Sequence, residues 1–345
     1  MKLCIISHTE HYQTANGQIV GWGPTITEIN HLVAHFETIY HVAMLHSGTP
    51  PPSALPYTAP NIQFIALPPL GGRTLVAKIN SIWNAPKVLR IVSQTLKQAD
   101  VFQLRTPTGI GVYLIPYLTL CIKKPGWYKY AGNWNQKHPP LGSRLQRWML
   151  KQQKRTVTIN GQWPNQPAHC LSFENPCLTQ SDLVKGLEWS KKKRYEHPLT
   201  FCYVGRLESE KGVGRIIRAF TQLAPEAKAN VKIIHLVGDG PERAVFERMA
   251  KSSGIYIQFH GYLPREQVFE IFKASDVFLM PTTASEGFPK VIAEAMNFGC
   301  IPVVSDVSAI GQYITDRVNG FVLMPNQLDK DLITVLKVLL LKTEN

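Results

Sequence analysis

Short β-forming apolar runs alternate with amphipathic helical stretches along almost all of this 345-residue chain, and that alternation restricts it to few architectures. The strand-type runs are 3–7, 39–45, 62–67, 100–104, 127–130 and 156–159, then 200–204, 231–237, 255–260, 277–280, 301–304 and 320–323. Helical patterns fall at 25–35 and 85–97, then at 214–223, 242–252, 265–274 and 290–297, with a last one at 328–342. Strands that are apolar throughout are buried on both faces, which implies parallel sheets covered by helices on each side. The expectation is therefore an α/β protein of two Rossmann-like domains. The stretch from 160 to 200 holds NGQWPNQP and WSKKKRYEHP, rich in Pro, Asn and charge. It marks the join, with a first domain over 1–170, a linker over 171–199 and a second domain over 200–345. Open parallel sheets bind ligands beyond the carboxyl ends of their strands, so the expected site lies in a cleft between the two.

Composition narrows the class. At 44% hydrophobic and 18% charged residues the chain has apolar surface for two cores, which excludes global disorder. No repeat period suggests a solenoid or propeller. The six cysteines, at 4, 121, 170, 177, 202 and 300, form no CxxC pair and read as free buried thiols of a reducing compartment. The opening MKLCIISHTE suits a first β-strand rather than a secretory leader. The longest apolar run, 110–122, contains Pro116, is too short to cross a bilayer and reads as a buried helix.

Charge is uneven. Residues 1–190 carry 17 Lys+Arg against 7 Asp+Glu and all seven Trp, while 191–345 carry 20 against 17. The two halves should therefore meet different partners. Residues 121–155 hold nine Lys/Arg and no acid, interleaved with Trp127, Tyr128, Tyr130, Trp134 and Trp148. That pattern suits an anionic membrane surface or a lipid diphosphate. The plainer alternative is a solvated basic face over buried aromatics. No nucleic-acid recognition module is legible, so nucleic acid is not an expected partner.

Three strand–loop–helix motifs in the second half carry chemistry. The first is VGRLESEKG over 204–212, where Gly205 permits a tight turn and Gly212 opens a helix. Arg206 and Lys211 set two cations beside a helix N-terminus, a good seat for a diphosphate. The alternative is a solvated ion pair to Glu208 or Glu210. The second is HLVGDGPE over 235–242, with Gly238 in the turn and Pro241 at the first helical position. Asp239 there reads as a turn residue at the rim of a pocket. The third is PTTASEGFPKVIAEAM over 281–296. It sets Glu286 in a loop and Glu294 inside a helix whose first turn holds Pro289. Carboxylates accept vicinal hydroxyls, so one can hold a sugar and the other a ribose, with the backbone N–H groups of Gly287 and Phe288 facing the ligand. That helix is apolar nearly all round, so Glu294 needs a partner.

As an ordered set these residues resemble the retaining GT-B enzymes of glycosyltransferase family 4. The matching residues are Gly205-Arg206-Leu207 with Glu210-Lys211-Gly212, Gly238-Asp239-Gly240-Pro241 and Phe259-His260-Gly261-Tyr262. They continue through the 276–281 run DVFLMP, Glu286-Gly287-Phe288-Pro289 with Glu294-Ala295-Met296, and Asn319-Gly320-Phe321. The resemblance covers about 200–325. It implies the α/β GT-B architecture, two Rossmann-like domains with parallel sheets facing a central cleft. It implies transfer of a hexose-type sugar from a nucleotide-diphosphate sugar, a UDP-sugar favoured over a GDP-sugar, with retained anomeric configuration. Arg206 and Lys211 would then bind the donor diphosphate and stabilise its developing charge. Glu286 would contact the donor sugar and Glu294 the ribose. Gly205, Gly238 and Gly287 would line the donor, and the backbone through Phe288, Pro289 and Lys290 would cradle sugar and phosphate. No cofactor and no metal are implied, and the chain has no His/Cys cluster at ligand spacing. The expected acceptor is a glycan or a lipid-linked sugar in cell-surface polysaccharide assembly, with the protein cytoplasmic and peripheral on the inner face of the membrane. The alternatives are a non-catalytic GT-B subunit that binds a nucleotide sugar or glycan, a glycan phosphorylase and a sugar-nucleotide epimerase.

The first half resembles the family more loosely. Gly21-Trp22-Gly23 before the 25–35 helix looks like the family's glycine loop, which lines donor phosphate and acceptor. The alternative is a plain βα connection. Many members carry a histidine after the fourth strand, whereas FQLRTPTG over 102–109 has none, leaving Arg105 or Thr106 in that place. His8 and His11 fall near the first connection, and His8 is taken as an acceptor-side candidate. Whether the last helix crosses back to the first domain is left open by the sequence.

Overall fold

Each apolar run becomes a strand, and the strands gather into two sheets in a computed structural model that describes residues 1–72 and 74–341. The chain divides into units Met1–Glu174 and Asn175–Asn345. In the first unit β1 (Lys2–Gln13), β2 (Ile19–Trp22), α1 (Gly23–Asn30), β3 (Thr38–His46), β4 (Ala54–Pro56) and β5 (Ile62–Leu67) come first. They are followed by α2 (Leu75–Trp83), α3 (Ala85–Gln98), β6 (Val101–Thr106), α4 (Gly111–Leu120), β7 (Gly126–Tyr130), α5 (Leu141–Gln152), β8 (Val157–Ile159) and β9 (Cys170–Ser172). β1 pairs in parallel with β3 and β6, which extend the sheet to β5 on one side and through β7 and β8 to β9 on the other. The sequence reading missed the short strands β2, β4 and β9. β1 runs on past a register break between Ile6 and Glu10, turns at Gly17 and pairs antiparallel with β2, which in turn pairs with β4.

The second unit is an all-parallel sheet in the order β12-β11-β10-β13-β14-β15. Its elements are α6 (Gln180–Lys192), β10 (Leu199–Val204), α7 (Val213–Thr221), α8 (Pro225–Ala229), β11 (Val231–Val237), α9 (Arg243–Lys251) and β12 (Ile257–Gly261). They continue with α10 (Arg265–Ala274), β13 (Val277–Met280), α11 (Lys290–Asn297), β14 (Ile301–Ser305), β15 (Phe321–Leu323) and α12 (Leu328–Leu340). β10 is buried along its whole length, as a central parallel strand should be. Helix α12 sets Leu328, Leu332, Leu336 and Leu340 on one face at four-residue spacing, all of them buried in the core of its own unit. Each such burial contributes about 1.5–3 kcal/mol. The expected end of that helix at 342 lies outside the described residues.

Of the stretch 171–199, expected as a linker, 171–174 close the first unit with the end of β9, and 175–199 belong to the second. Thr179 and Asp182 form a reciprocal capping box that starts α6. Gly186 sits so close to Asn297 of α11 that a Cβ there would overlap its side chain. Lys193 Nζ donates to the carbonyls of Phe272, Ser275 and Phe298, orphan acceptors at the C-terminal ends of α10 and α11.

All six cysteines are free, but only four are buried: Cys121 is exposed and Cys177 half-buried. The 110–122 run forms α4, with Leu114, Ile115 and Leu118 buried. Among the described residues no helix is long and apolar enough to cross a membrane.

The 121–155 stretch is not a continuous basic surface. Tyr128, Tyr130 and Trp134 are core residues and Lys129 is buried. Lys124, Arg147 and Arg155 spend their donors on the carbonyls of Ala99, Trp134 and Lys124 respectively. What remains outside is Lys123, Lys137 and Lys154 together with the outer face of α5, where Leu141, Leu145 and Trp148 lie exposed alongside Arg144 and Lys151.

Candidate functional site

The candidate residues of the second unit sit on the loops after β10, β11 and β13, at the carboxyl ends of strands, and on α11. The first two loops run against one another. Gly205 N donates to Val237 O at 3.0 Å and Leu207 N to Asp239 O at 3.0 Å. Gly238 has φ +121°, and a Cβ there would overlap the Gly205 carbonyl; one at Gly240 would overlap that of Leu207. These glycines are required by backbone contact, before any ligand is considered. Gly238→Ala should cost at least about 1–3 kcal/mol, because it adds strain to a clash with main chain. Thermal unfolding reads this directly, and an unchanged Tm would show that the loop relaxes freely.

Asp239 behaves as the turn residue anticipated, accepting from Gly240 N at 2.8 Å. Pro241 falls two residues before α9, and Glu242 takes a different job. Its carboxylate accepts from Ser209 N at 2.7 Å and from the Ser209 hydroxyl, and those bonds lower its pKa.

The loop after β10 closes in a 3-10 turn, Ser209–Lys211, ended by Gly212 at φ +92°. Gly212 lies against the Pro281 carbonyl with no room for a side chain. Thr283 N and Thr282 Oγ1 both donate to Glu210 O, at 2.8 and 3.0 Å. This stitching brings Lys211 Nζ into an ion pair with Glu286. Lys211 is 16% exposed and Glu286 50%, so the cation is mostly enclosed while its partner opens to solvent. Sequence reasoning gave these two residues separate tasks; the fold makes them one unit.

Arg206 stands differently from the expectation. It is 70% exposed and pairs with Glu208 at 2.6 Å, the solvated ion pair weighed as the alternative. The residue that sequence reasoning missed is Tyr203. It is fully buried under the loop, and its hydroxyl donates to Arg206 O at 2.7 Å. Burial raises its pKa, and the neighbouring Glu286 and Glu208 charges add to that. Its aromatic position inside an apolar strand gave no signal beyond core packing.

Glu294 lies on α11, which Pro289 N-caps with Lys290 as first residue. Its carboxylate is 14% exposed and 3.7 Å from Arg265 Nε. Burial raises its pKa, while Arg265 and Lys290 oppose that. Arg265 is the partner that a carboxylate on a buried helix demanded. It also bonds Asp182 at 3.0 Å, donates to the Cys177 carbonyl and stacks over Phe269 at 4.2 Å. Gly287 is buried, and Phe288 packs its ring on Tyr313 at 4.7 Å. The Asn319 motif forms a turn, with Asn319 Oδ1 accepting from Thr315 N at 2.7 Å.

In the first unit the expected glycine loop does not form. Gly21 and Trp22 lie in β2 and Gly23 begins α1. The reason is the extension of β1, whose His11 ring packs where a Cβ of Gly21 would stand. Trp22 is half-exposed. His8 pairs its Nε2 with Leu70 O, and burial lowers its pKa. His11 is structural, held between Thr9 O and the Tyr57 hydroxyl.

Arg105 turns inward. With Lys129 it pairs to Glu28 of α1, Arg105 at 3.0 Å. Burial would raise the Glu28 carboxyl, but the Arg105 and Lys129 charges overcome this and hold it at about 2. Thr106 is buried and donates to Lys129 O at 3.3 Å. Both residues therefore serve the interior in this structure, in place of the ligand contact expected from their position. Among the described residues no group of three or more His, Cys, Asp or Glu is placed to hold a metal ion.

Residues 187–344 match the family described as glycosyl transferases group 1. An uncharacterised glycosyltransferase of Methanocaldococcus jannaschii is 31% identical over 139 residues, 39% of this chain and 34% of that protein. The 2-deoxystreptamine glucosyltransferase of Streptomyces kanamyceticus is 29% identical over 248 residues, 64% of each chain. The chain thus spans from about a third to just under two thirds of the length of these curated relatives. In fold it is similar to Anabaena HepE, solved in complex with UDP and glucose, with a TM-score of 0.67 at 16% identity over 99% of this chain and 90% of that one. The match over 187–344 is thus to part of the chain, and the chain's α/β fold is that of the GT-B glycosyltransferases.

Proposed function

We propose that this protein is a retaining, metal-independent glycosyltransferase. It moves a hexose-type sugar from a nucleotide-diphosphate sugar, UDP favoured over GDP, to a glycan or lipid-linked acceptor of cell-surface polysaccharide assembly. The observation that carries the reading is the Lys211–Glu286 pair, stitched across two strand-end loops through Glu210 O. A mostly enclosed cation beside a solvent-open carboxylate suits a diphosphate next to a sugar.

In the reaction the anomeric carbon–oxygen bond to the diphosphate breaks and negative charge builds on the leaving phosphate. Lys211 stabilises that charge from a fixed position. Arg206, free to swing from Glu208 at the surface, adds a second cation. Glu286 accepts from donor-sugar hydroxyls and Glu294 from the ribose, with the backbone of Gly287–Lys290 and the glycines at 205 and 238 shaping the donor seat. The acceptor oxygen attacks on the face the diphosphate leaves, and its proton passes to the departing phosphate. Arg105, Thr106 and His8 act on the acceptor side by shaping the strand ends rather than by direct contact. Gly21, Trp22 and Gly23 belong to the same end of the sheet, with the half-exposed Trp22 the member open to a ligand. The fold likeness to HepE, which was solved with UDP and glucose, supports the donor class. The enzyme works in the cytoplasm, peripheral on the inner face of an anionic membrane, and within 121–155 the exposed face of α5 makes that contact.

Thermal shift against UDP, GDP, dTDP, ADP and CMP, with and without divalent metal, tests the donor assignment. A nucleotide at about 100 times its Kd raises native stability by roughly 2.7 kcal/mol. Glu294→Ala should weaken that nucleotide by about 1.5–3 kcal/mol, the worth of hydrogen bonds to a charged group, or roughly 10- to 150-fold in Kd. Equal shifts for variant and wild type would remove Glu294 from the site. Nucleotide binding without any turnover would move the non-catalytic reading to the front.

A further inference from the structure

Helix α2 is built inside out. Its inward positions are taken by Ser81, which is buried, and the half-buried Ala77. Its outward arc carries Val76 at 77% exposure, Ile79 at 62%, Ile82 at 68% and Trp83 at 84%. At about 100° per residue these four fall within one third of the helix circumference. A surface helix of a soluble domain normally shows the opposite arrangement, and a contiguous exposed apolar face of this kind marks an interaction surface. Beside it, a cavity of about 460 Å³ opens between Val76, Ile79, Trp83, Gly71 and Thr74.

We infer that the outer face of α2 (Leu75–Trp83) inserts into an anionic lipid bilayer. The charge around it selects that occupant. The sequence from 38 to 99, which holds α2 and α3, carries five Lys/Arg and no acid. Lys78 on α2, and Lys87 and Arg90 on the following helix α3, are exposed and flank the apolar stripe. Basic residues bordering an apolar helix face with a terminal tryptophan are the composition of a segment that lies in the membrane interface. A second copy of this chain would bring the same basic surface against itself, which like-charge repulsion opposes. The surface is distinct from α5, already assigned to membrane contact, and rests on no assumption about the reaction.

Co-sedimentation of the whole protein tests it without donor or acceptor. Wild type should pellet at low salt with vesicles of phosphatidylcholine containing about one third phosphatidylglycerol, stay in solution with phosphatidylcholine alone, and be released as salt rises. Ile79→Glu combined with Trp83→Glu should weaken vesicle binding at least about tenfold, since two charges then face the acyl boundary. Both positions are exposed, so the variant should keep the wild-type Tm, which confirms that it is folded. Trp83→Phe should still pellet but lose the part of the tryptophan fluorescence quenching by bromine-labelled acyl chains that Trp83 supplies. Three results overturn the inference. One is wild type that ignores the anionic vesicles. Another is a double Glu variant that pellets as wild type does. The last is a lipid-free dimer on gel filtration that Trp83→Glu splits, which would assign the face to a second copy.

Discussion

Lys211→Ala should lower kcat by about 10²–10³ with little change in KM for the donor, the loss seen when one preorganised donor is removed from a developing oxyanion. The magnitude follows from placement. Lys211 is mostly enclosed and held by Glu286, on a turn fixed by Gly212 and by the Thr282 and Thr283 bonds to Glu210 O. A cation so fixed needs no reorganisation as charge appears on the leaving phosphate. Its removal should do little to stability, because Glu286 is half-exposed and water replaces the lost partner. Steady-state kinetics of the wild type and variant with a matched donor and acceptor provide the check. A kcat within about threefold of wild type would place the diphosphate elsewhere.

Glu28→Gln should be the most destabilising single change in the first unit. Glu28 is the carboxylate between Arg105 and Lys129, with side-chain exposures of 8%, 13% and 3%. Removing it takes the carboxylate from between two buried cations, a cost of about 3–5 kcal/mol. For a unit of this size that corresponds to a Tm drop of roughly 6–20 °C. The same cluster sets a pH dependence. The carboxyl titrates near 2 in the folded protein against an ordinary value of 4.5. A depressed folded pKa contributes stability that is complete above the unfolded value and is lost as pH falls through the folded one. Wild type should therefore weaken between pH 4.5 and 2, and Glu28→Gln should lack that component. Unfolding midpoints across this window decide the matter; parallel curves for both proteins would show that the cluster does not govern acid stability.

The parts of the molecule written in local pattern were legible in sequence. Central strands such as Leu199–Val204 announce themselves because a strand buried on both faces has no polar alternation to confuse the reading. The glycines at 205, 212 and 238 were readable because a turn with no room for a side chain admits little else. Helix α6 was missed although Thr179 and Asp182 spelled a capping box, since the Pro, Asn and Lys around them read as linker. The β2 strand was missed because it is four residues long and two of those are Gly and Trp. What no local pattern holds is pairing at a distance. Arg265 meets Asp182 across 83 positions, and Lys129 meets Glu28 across 101. The basic patch failed for the same reason: four of its nine cations answer carbonyls or a carboxylate brought in by the fold.

The docking of α6 changes where this protein can be cut. The family match begins at 187, midway through that helix, yet the physical edge of the unit lies at Asn175. A fragment started at 200 would lose α6 and every contact that segment makes. Arg265 would lose Asp182 and the Cys177 carbonyl, the helix ends at Phe272 and Phe298 would lose Lys193, and Asn297 would lose the Asp182 carbonyl. Glu294 would be left with an unmoored arginine. The smallest inheritable piece of this architecture is therefore longer than the stretch by which its relatives are recognised, because the segment ahead of the first strand is a keystone of the sheet that follows.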